Sequence, residues 1–506
     1  MKIQRQKGAA TLELLIAFAI LVLNITAVIL ILNGGQSIYV DSETNTEAIA
    51  MAEELLEDAR ADAELDFNLV YPTSGTETSG PLTYTKTLSV TQTDLFTKEV
   101  TSTVSWPAEG GRNLIVEFTT LFTNPEAVDG GDTCSSVLSG DWTSPTKDEY
   151  EFGADILGDT SSGFPITSIQ TFNEKMYVTV NNTHGNNDET FFILDISEPG
   201  SMPAPLGKLD NSGTISEGLN AVAVDGESYA YVANAYDSSP DDCTEADNCA
   251  QLQVIDMSNP ASPYVARNFK INSITTGNKL ANGTSVFYKD GIMYLGLARA
   301  TSGREFYILD VGGGGGGGSP TSPIILSSVE IGNGINTIFV RDNYAYIASP
   351  NTQELKIFNV TNPGSPTPAG NFNSGTGAGN GKSLYLVGSK LYLGKTVPNA
   401  GNDFHILNNL NPNIYLPELG GMNSASSING ILVREYLAFL ITSNGQFQTW
   451  RVDNPSSISE YASPLTLPPG SGGGLQGTAA DCEENYVYVG SQSSNDKGYI
   501  SIITGS

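Results

Sequence analysis

The best candidate for ion chemistry in this sequence is an acidic loop at residues 237–249. Its carboxylates belong to Asp237, Asp241, Asp242, Glu245 and Asp247. Clustered carboxylate oxygens are the ligands that a hard cation such as Ca²⁺ prefers. The loop lacks an EF-hand register, so a solvated acidic hairpin tip without metal is the alternative interpretation.

Residue patterns typical of catalysis are scarce. The two histidines, His184 and His405, are far apart and have no neighbouring metal-ligand spacing, which favours positions in surface loops. No Gly-x-Ser-x-Gly elbow or Walker loop occurs in a strand-to-helix context. The glycine run at residues 312–318 has no following lysine, and its composition predicts a flexible linker. The sequence therefore gives no support to an enzyme.

The N-terminus joins a basic leader to an apolar stretch. Three basic residues precede Gly8, and residues 9–32 carry no charge except Glu13. A helix of this length can cross a bilayer core of about 30 Å, and the basic flank predicts a cytoplasmic leader. One interpretation of this pattern is a membrane anchor in which the charge of Glu13 has no particular function.

The same residues resemble the class III signal of type IV pilins and type II secretion pseudopilins. In those families a prepilin peptidase cuts after the glycine and often methylates the new amino terminus, which here implies processing between Gly8 and Ala9. Ala9 departs from the phenylalanine usual at that position. Glu13 becomes the fifth mature residue, and a carboxylate in an apolar filament core needs a partner. The resemblance implies that Glu13 pairs with the amino terminus of a neighbouring subunit.

The next residues continue the pilin plan. Strong helix formers at 44–66 extend the apolar segment into one long helix over residues 9–66. Alternating segments then predict antiparallel strands at 82–91, 97–106 and 113–122. The predicted fold class of this part is an α+β pilin module, more similar to minor pilins and pseudopilins than to major subunits.

The remaining chain is a repeat array. An apolar strand that ends in Asp or Asn recurs at Asp195, Asp256, Asp310, Asn359, Asn408 and Asp453, with the period of a propeller blade. A tight hairpin with a tyrosine-rich second strand accompanies the repeats, and seven such hairpins predict an all-β, seven-bladed propeller. The phrase resembles the LVIVD repeat family of surface β-propellers, with close copies ending near Pro199, Pro260 and Pro363.

Closure of the ring predicts the disulfides. The chain ends after the third strand of the seventh blade, and residues 149–156 have the alternation of a strand that can complete it. This closure brings Cys134 close to Cys482, while Cys243 and Cys249 bracket a short loop. Four cysteines allow three pairings, and the geometry favours Cys134–Cys482 with Cys243–Cys249.

Charge and organisation complete the prediction. Basic residues number 24 and acidic residues 55, for a net charge of −31, which argues against nucleic-acid binding and suits an exposed extracellular protein. The predicted segments are a leader at 1–8, a long helix at 9–66 with a transmembrane or filament-core part at 9–32, a β-sheet region at 67–128, a linker at 129–147 and the propeller at 148–506.

These features predict a minor pilin-like subunit of a type IV pilus or related filament that displays a propeller for adhesion or ligand binding. The alternative is an assembly-priming tip cap or secretion pseudopilin in which the propeller is a spacer. Expected partners are other pilin subunits, the prepilin peptidase, the inner membrane before assembly and an unidentified ligand at the cell surface. Insertions at 237–249 and 396–403 join second and third strands, so the ligand is expected on that face.

Overall fold

A computed structural model of the chain describes residues 6–65, 70–94, 97–108, 112–123, 133–134, 138–159, 163–181, 189–198, 202, 204–209, 218–226, 228–235, 250–275, 277–313, 315–350, 353–375, 380–396, 401–468 and 476–506. The chain divides into two compact units, Met1–Asn124 and Pro125–Ser506.

The first unit begins with a single helix, α1 (Gln6–Leu65). The helix continues without a break through Gly34 and Gly35, although glycine is an unfavourable residue in a helix interior. Towards its end, the small residues Ala48 and Ala52 are fully buried against the sheet of this unit. The sequence predicted a membrane span at 9–32; in the described part of the chain, no helix is long and apolar enough to cross a membrane.

The sheet of the first unit is an antiparallel meander of four strands, β1 (Thr73–Ser79), β2 (Leu82–Asp94), β3 (Thr97–Pro107) and β4 (Asn113–Thr123). Tyr84, Val104 and Trp106 pack against the helix and form its core. The sequence analysis missed β1, because this strand is polar and almost entirely exposed and has no alternating apolar pattern.

The described part of the second unit consists mainly of β-sheets, with a π-helical turn at Phe152–Leu157 and a 3-10 turn at Pro455–Ser457. Two short strands come first, β5 (Thr133–Cys134) and β6 (Thr146–Glu151). Six four-stranded antiparallel sheets follow, here called blades 1 to 6. Their strands are β7 (Ile166–Phe172), β8 (Lys175–Val180), β9 (Phe191–Asp195), β10 (Gly207–Leu209); β11 (Leu219–Val224), β12 (Tyr229–Asn234), β13 (Leu252–Asp256), β14 (Tyr264–Phe269); β15 (Gly283–Lys289), β16 (Ile292–Leu297), β17 (Phe306–Asp310), β18 (Ile324–Val329); β19 (Thr337–Arg341), β20 (Tyr344–Ala348), β21 (Leu355–Asn359), β22 (Thr367–Phe372); β23 (Gly381–Val387), β24 (Lys390–Lys395), β25 (Phe404–Asn408), β26 (Glu418–Met422); and β27 (Ile428–Arg434), β28 (Leu437–Thr442), β29 (Gln446–Arg451), β30 (Ser459–Thr466).

Blade 7 closes the ring. It consists of β31 (Gln476–Glu484), β32 (Tyr486–Gln492) and β33 (Gly498–Thr504), and β6 pairs antiparallel with β33 as its outer strand. The first strand of each blade contacts that of the next blade, and β31 contacts β7. The closing strand was predicted at 149–156, but it ends at Glu151, and Phe152–Leu157 forms a π-helical turn that buries Phe152.

The recurring Asp or Asn has a local structural role. It ends the third strand of a blade, and its side-chain oxygen accepts a hydrogen bond from the backbone N–H two residues later. The donor–acceptor distances are 3.0 Å for Asp195, 2.9 Å for Asp256, 3.0 Å for Asn359 and 3.0 Å for Asn408. This Asx turn stops the strand and starts the connection to the outer strand. Blade 6 departs from the prediction, because β29 ends at Arg451 and Asp453 lies two residues beyond it, where it forms an ion pair with Arg451.

Blade 3 replaces this simple turn with an ordered glycine loop. The buried Asp310 carboxylate accepts hydrogen bonds from the backbone N–H groups of Gly312 and Gly313, at 2.9 and 3.1 Å, and from those of Gly316 and Gly318, at 2.7 and 3.2 Å. Gly312 has a φ of 145°, which side chains rarely adopt. The prediction of a flexible linker at 312–318 is therefore wrong for the described residues of this run.

The predicted linker at 129–147 also contains ordered residues. The backbone N–H groups of Asp141 and Ser506 each donate to the other residue's carbonyl oxygen, at 2.8 and 3.1 Å. Trp142 is buried against Phe439 of blade 6, with ring centroids 4.7 Å apart. These residues belong to the compact unit that begins at Pro125, upstream of the predicted boundary at residue 148.

Candidate functional site

A cavity of about 690 Å³ lies at the centre of the ring, within the range of small-molecule sites. Its wall is formed by the first halves of the seven inner strands. Asn181, which follows β8, and Asp496, which lies between β32 and β33, also line it. The cavity therefore lies towards the ends of the blades where second strands connect to third strands.

One equivalent position in every blade contributes a polar residue to the lining of this cavity. In chain order these residues, here called the channel ring, are Thr167, Asn220, Thr284, Asn336, Lys382, Asn429 and Thr478. In all but Asn336, the strand register shifts across the residue. A β-bulge re-aims a side chain at such a position, and here the repeated bulge gives the cavity its polar wall.

The asparagines of the channel ring link each blade to the next. The Nδ2 atoms of Asn220, Asn336 and Asn429 donate to backbone carbonyl oxygens of the following blade at 2.7, 2.6 and 2.7 Å. All three acceptors are glycines, namely Gly283, Gly381 and Gly477. At Gly283 an added Cβ would lie 2.2 Å from the Gln251 carbonyl oxygen, so the close approach of neighbouring blades requires glycine there.

Threonines make equivalent links between other blades. The hydroxyls of Thr167 and Thr284 each donate to a carbonyl oxygen of the next blade at 2.6 Å. Asn residues thus alternate with Thr around the ring, and Lys382 of blade 5 occupies a Thr position. The sequence analysis missed these residues, although a polar residue at the start of every inner strand was visible as a weak periodic signal.

Among the described residues that line the cavity, Lys382 carries the basic side chain. Its Nζ donates to Asn429 Oδ1 at 2.7 Å. In the described part of the chain, Lys382 forms no ion pair with a carboxylate. Burial lowers the pKa of its ammonium, because the charged form loses hydration there.

Of the predicted site residues, the structure brings together Cys134 and Cys482. They form a disulfide with Cα atoms 5.0 Å apart and 348 residues apart in sequence, as ring closure predicted. Asp481 lies beside this pair, but bonded cysteines cannot act as thiolate ligands.

Other predicted sites lie outside the described residues. These are His184, Cys243 and Cys249, and all five carboxylates of the acidic loop, Asp237, Asp241, Asp242, Glu245 and Asp247. Gly8, Ala9 and Glu13 are within α1, and their processing and assembly roles remain predictions.

His405 corrects an expectation, because it is buried within β25 rather than exposed in a loop. Its Nδ1 lies 2.8 Å from Glu418 Oε1, and its Nε2 lies 3.1 Å from the Asn402 carbonyl oxygen. The hydrogen bond with His405 is the largest cause that lowers the pKa of Glu418. The pair joins the third and outer strands of blade 5 and has a structural role.

Comparisons with known proteins support the repeat assignment. Residues 246–270 and 335–374 match the profile of the LVIVD repeat, which includes the copies ending near Pro260 and Pro363. The copy ending near Pro199 lies outside the matched residues. No curated protein matches the chain.

The structural matches are β-propeller-like. The computationally designed Ika8 protein matches with 11% identity and a TM-score of 0.42 over 81% of this chain and 94% of its own. A chain of the mitotic checkpoint complex matches with 9% identity and a TM-score of 0.48 over 72% and 95%. The WD40 β-propeller domain of Doa1 matches with 14% identity and a TM-score of 0.44 over 69% and 95%.

Proposed function

We propose that the chain is a minor pilin-like subunit of a type IV pilus or related filament, which displays its propeller for adhesion or ligand binding. The observation that carries the proposal is a group of exposed apolar side chains on α1. They are Phe18, Ile20, Leu21, Val22, Leu23, Ile25 and Val28, with Phe18 64% and Leu23 69% exposed. Apolar surface of this extent favours burial against a partner, and packing against the helices of neighbouring subunits would provide it.

The leader supplies the second part of the proposal. A prepilin peptidase is proposed to cut between Gly8 and Ala9, which leaves Glu13 at the position where pilin-like subunits pair with a neighbour's amino terminus. The subunit is proposed to wait at the inner membrane and then to reach the cell surface within the filament.

The propeller is proposed to carry the ligand contacts on the face where second strands connect to third strands. The central cavity lies towards this end of the blades. In the sequence, the acidic segment 237–249 falls between β12 and β13, which are a second and a third strand. Loops on a rigid scaffold are common recognition elements. Binding of Ca²⁺ by the acidic segment remains part of the proposal.

Two sets of variants test the proposal. Gly8→Glu should block leader removal, as seen by mass spectrometry. Glu13→Ala should be processed but incorporated poorly into filaments, and Glu13→Asp, which keeps the carboxylate, should restore part of the incorporation. Normal processing of the glycine variant or normal incorporation of the alanine variant would contradict the pilin-like assignment.

A chain that ends at Asn124 separates the two roles considered for the propeller. If the propeller binds a ligand, the truncated subunit should still enter filaments, but the cells should lose attachment. If the propeller is an assembly cap or spacer, filament number should fall instead, and replacement by an unrelated domain of similar size should restore it.

A further inference from the structure

The channel ring is regular except at one position. In blades 3, 5 and 7 a glycine near the start of the inner strand precedes the channel-ring residue, which is Thr284, Lys382 or Thr478. Thr284 makes the blade-to-blade bond with its hydroxyl. In blade 5 the neighbouring Ser383 supplies this bond, since its hydroxyl donates to the Ile428 carbonyl oxygen at 3.0 Å. The bond that threonine makes in blade 3 therefore does not depend on Lys382, whose own contact with blade 6 is the bond from its ammonium to Asn429 Oδ1.

The surroundings of Lys382 leave its charge available. The ammonium has three N–H donors, and Asn429 Oδ1 accepts one of them. Lys382 is half-buried, and partial burial of a cation without a counter-ion is unfavourable. Asp496 lines the same cavity, but in the described part of the chain no carboxylate forms an ion pair with Lys382. An anion that enters the cavity would supply the missing charge.

The rest of the wall suits a ligand with hydroxyl groups. Asn220 and Asn336 each use one amide N–H for the next blade, and their amides face the cavity with further donor and acceptor capacity. The hydroxyls of Thr284 and Thr478 line the same wall. The cavity volume of about 690 Å³ is larger than a simple carboxylate ion needs.

We propose that the central cavity binds a sugar acid, with Lys382 paired to the carboxylate of the ligand and the channel-ring amides and hydroxyls bonded to its hydroxyl groups. This inference rests on the proposed ligand-binding role of the propeller. The proposed ligand class is a sugar acid, and Lys382 is the residue that selects it.

The test uses the full-length chain in a nonionic detergent and isothermal titration calorimetry with D-glucuronate. D-glucose has the same ring without the carboxylate and serves as the matched neutral probe. The key variant is Lys382→Thr, because threonine occupies the equivalent positions of blades 3 and 7. Lys390→Gln, on the next strand of the same blade, controls for the loss of one positive charge.

D-glucuronate should bind the wild-type chain and the Lys390→Gln variant equally. Its affinity for Lys382→Thr should fall at least about tenfold, because a charge-assisted hydrogen bond is lost. D-glucose should bind weakly and without difference between the variants. Equal affinity of glucuronate for wild type and Lys382→Thr, or no binding to wild type, would overturn the proposal.

Two further measurements distinguish failure of the sugar-acid proposal from failure of the proposed display function. Inorganic phosphate that binds through Lys382 while glucuronate does not would show an anion site of another class and overturn the sugar-acid assignment. Filament-bearing cells with Lys382→Thr should attach less than wild-type cells. If glucuronate does not bind but propeller-dependent attachment persists, the sugar-acid inference fails and the proposed display function stands.

Discussion

The propeller has two repeated sets of polar residues, and they act over different distances. The Asx turns at the ends of the third strands bond to a backbone N–H two residues away in the same blade. The channel ring bonds across to the next blade, between residues 45 to 63 positions apart in the sequence. The first set shapes individual blades, whereas the second links blades 1 to 7 in succession. Between blades 7 and 1 the described residues show no such bond, because the Thr478 hydroxyl has no hydrogen-bond partner.

This difference determines what a substitution should do. An Asx turn is near the surface, and water can replace part of its hydrogen bond. A channel-ring asparagine is wedged between two inner strands, so its loss affects two blades. Contacts that link distant parts of the chain are therefore expected to contribute more to the free energy of unfolding than contacts within one turn.

The largest effect is expected from the link with the greatest sequence separation. Cys134→Ala removes the disulfide that ties the start of the second unit to blade 7, and the free energy of unfolding should fall by about 2–5 kcal/mol. Urea denaturation measures this change. A reductant should destabilise the wild type more than the Cys134→Ala variant, which has already lost this disulfide. An unchanged unfolding midpoint would contradict a closing role.

Asp310 should show the next largest effect on the free energy of unfolding, because its carboxylate accepts four backbone hydrogen bonds. Asp310→Ala leaves four backbone N–H groups without the carboxylate, and should cost about 3 kcal/mol. Asp256→Ala is the matched variant in blade 2 and should cost about 1 kcal/mol. Equal losses in the two variants would show that the glycine loop does not depend on Asp310.

Local chemistry explains which features the sequence could predict. The Asx turns repeat as Asp195, Asp256 and Asn359 next to apolar strands, so the blade period and the LVIVD match were visible from short segments. Closure through β6 followed from the need to pair the edge of blade 7. The order of the glycine run could not be predicted, because it depends on one carboxylate gathering four amides into a turn.

The channel ring was missed for a related reason. Its residues share a position in a bulged strand but differ in type, and bulges depend on pairing with the next strand. His405 was misplaced because its burial against Glu418 depends on a strand that comes 13 residues later. Sequence reasoning therefore succeeded where a side chain bonds to its own neighbours and failed where a distant strand decides its environment.

Asn429 tests the channel ring directly. Asn429→Ala removes the bond from its amide to the Gly477 carbonyl oxygen and the acceptor for Lys382. The expected loss of unfolding free energy is about 2 kcal/mol, for two partly buried hydrogen bonds. Asn429→Asp keeps an acceptor for Lys382 but places a carboxylate oxygen against the Gly477 carbonyl oxygen, where two acceptors face each other. It should therefore remain less stable than the wild type in urea denaturation.

The smallest effect on the free energy of unfolding is expected when an asparagine of an Asx turn is replaced by alanine. Asn359→Ala removes the bond from the Thr361 N–H, which is 3.0 Å long, and should cost about 1 kcal/mol because water replaces the acceptor. Asn359→Asp keeps the acceptor and should unfold like the wild type. The ratio of the Asn429→Ala and Asn359→Ala losses measures the contrast between links across blades and turns within a blade. If Asn359→Ala costs as much as Asn429→Ala, the blade ends contribute as much to the ring as its centre does, and the distinction between the two sets fails.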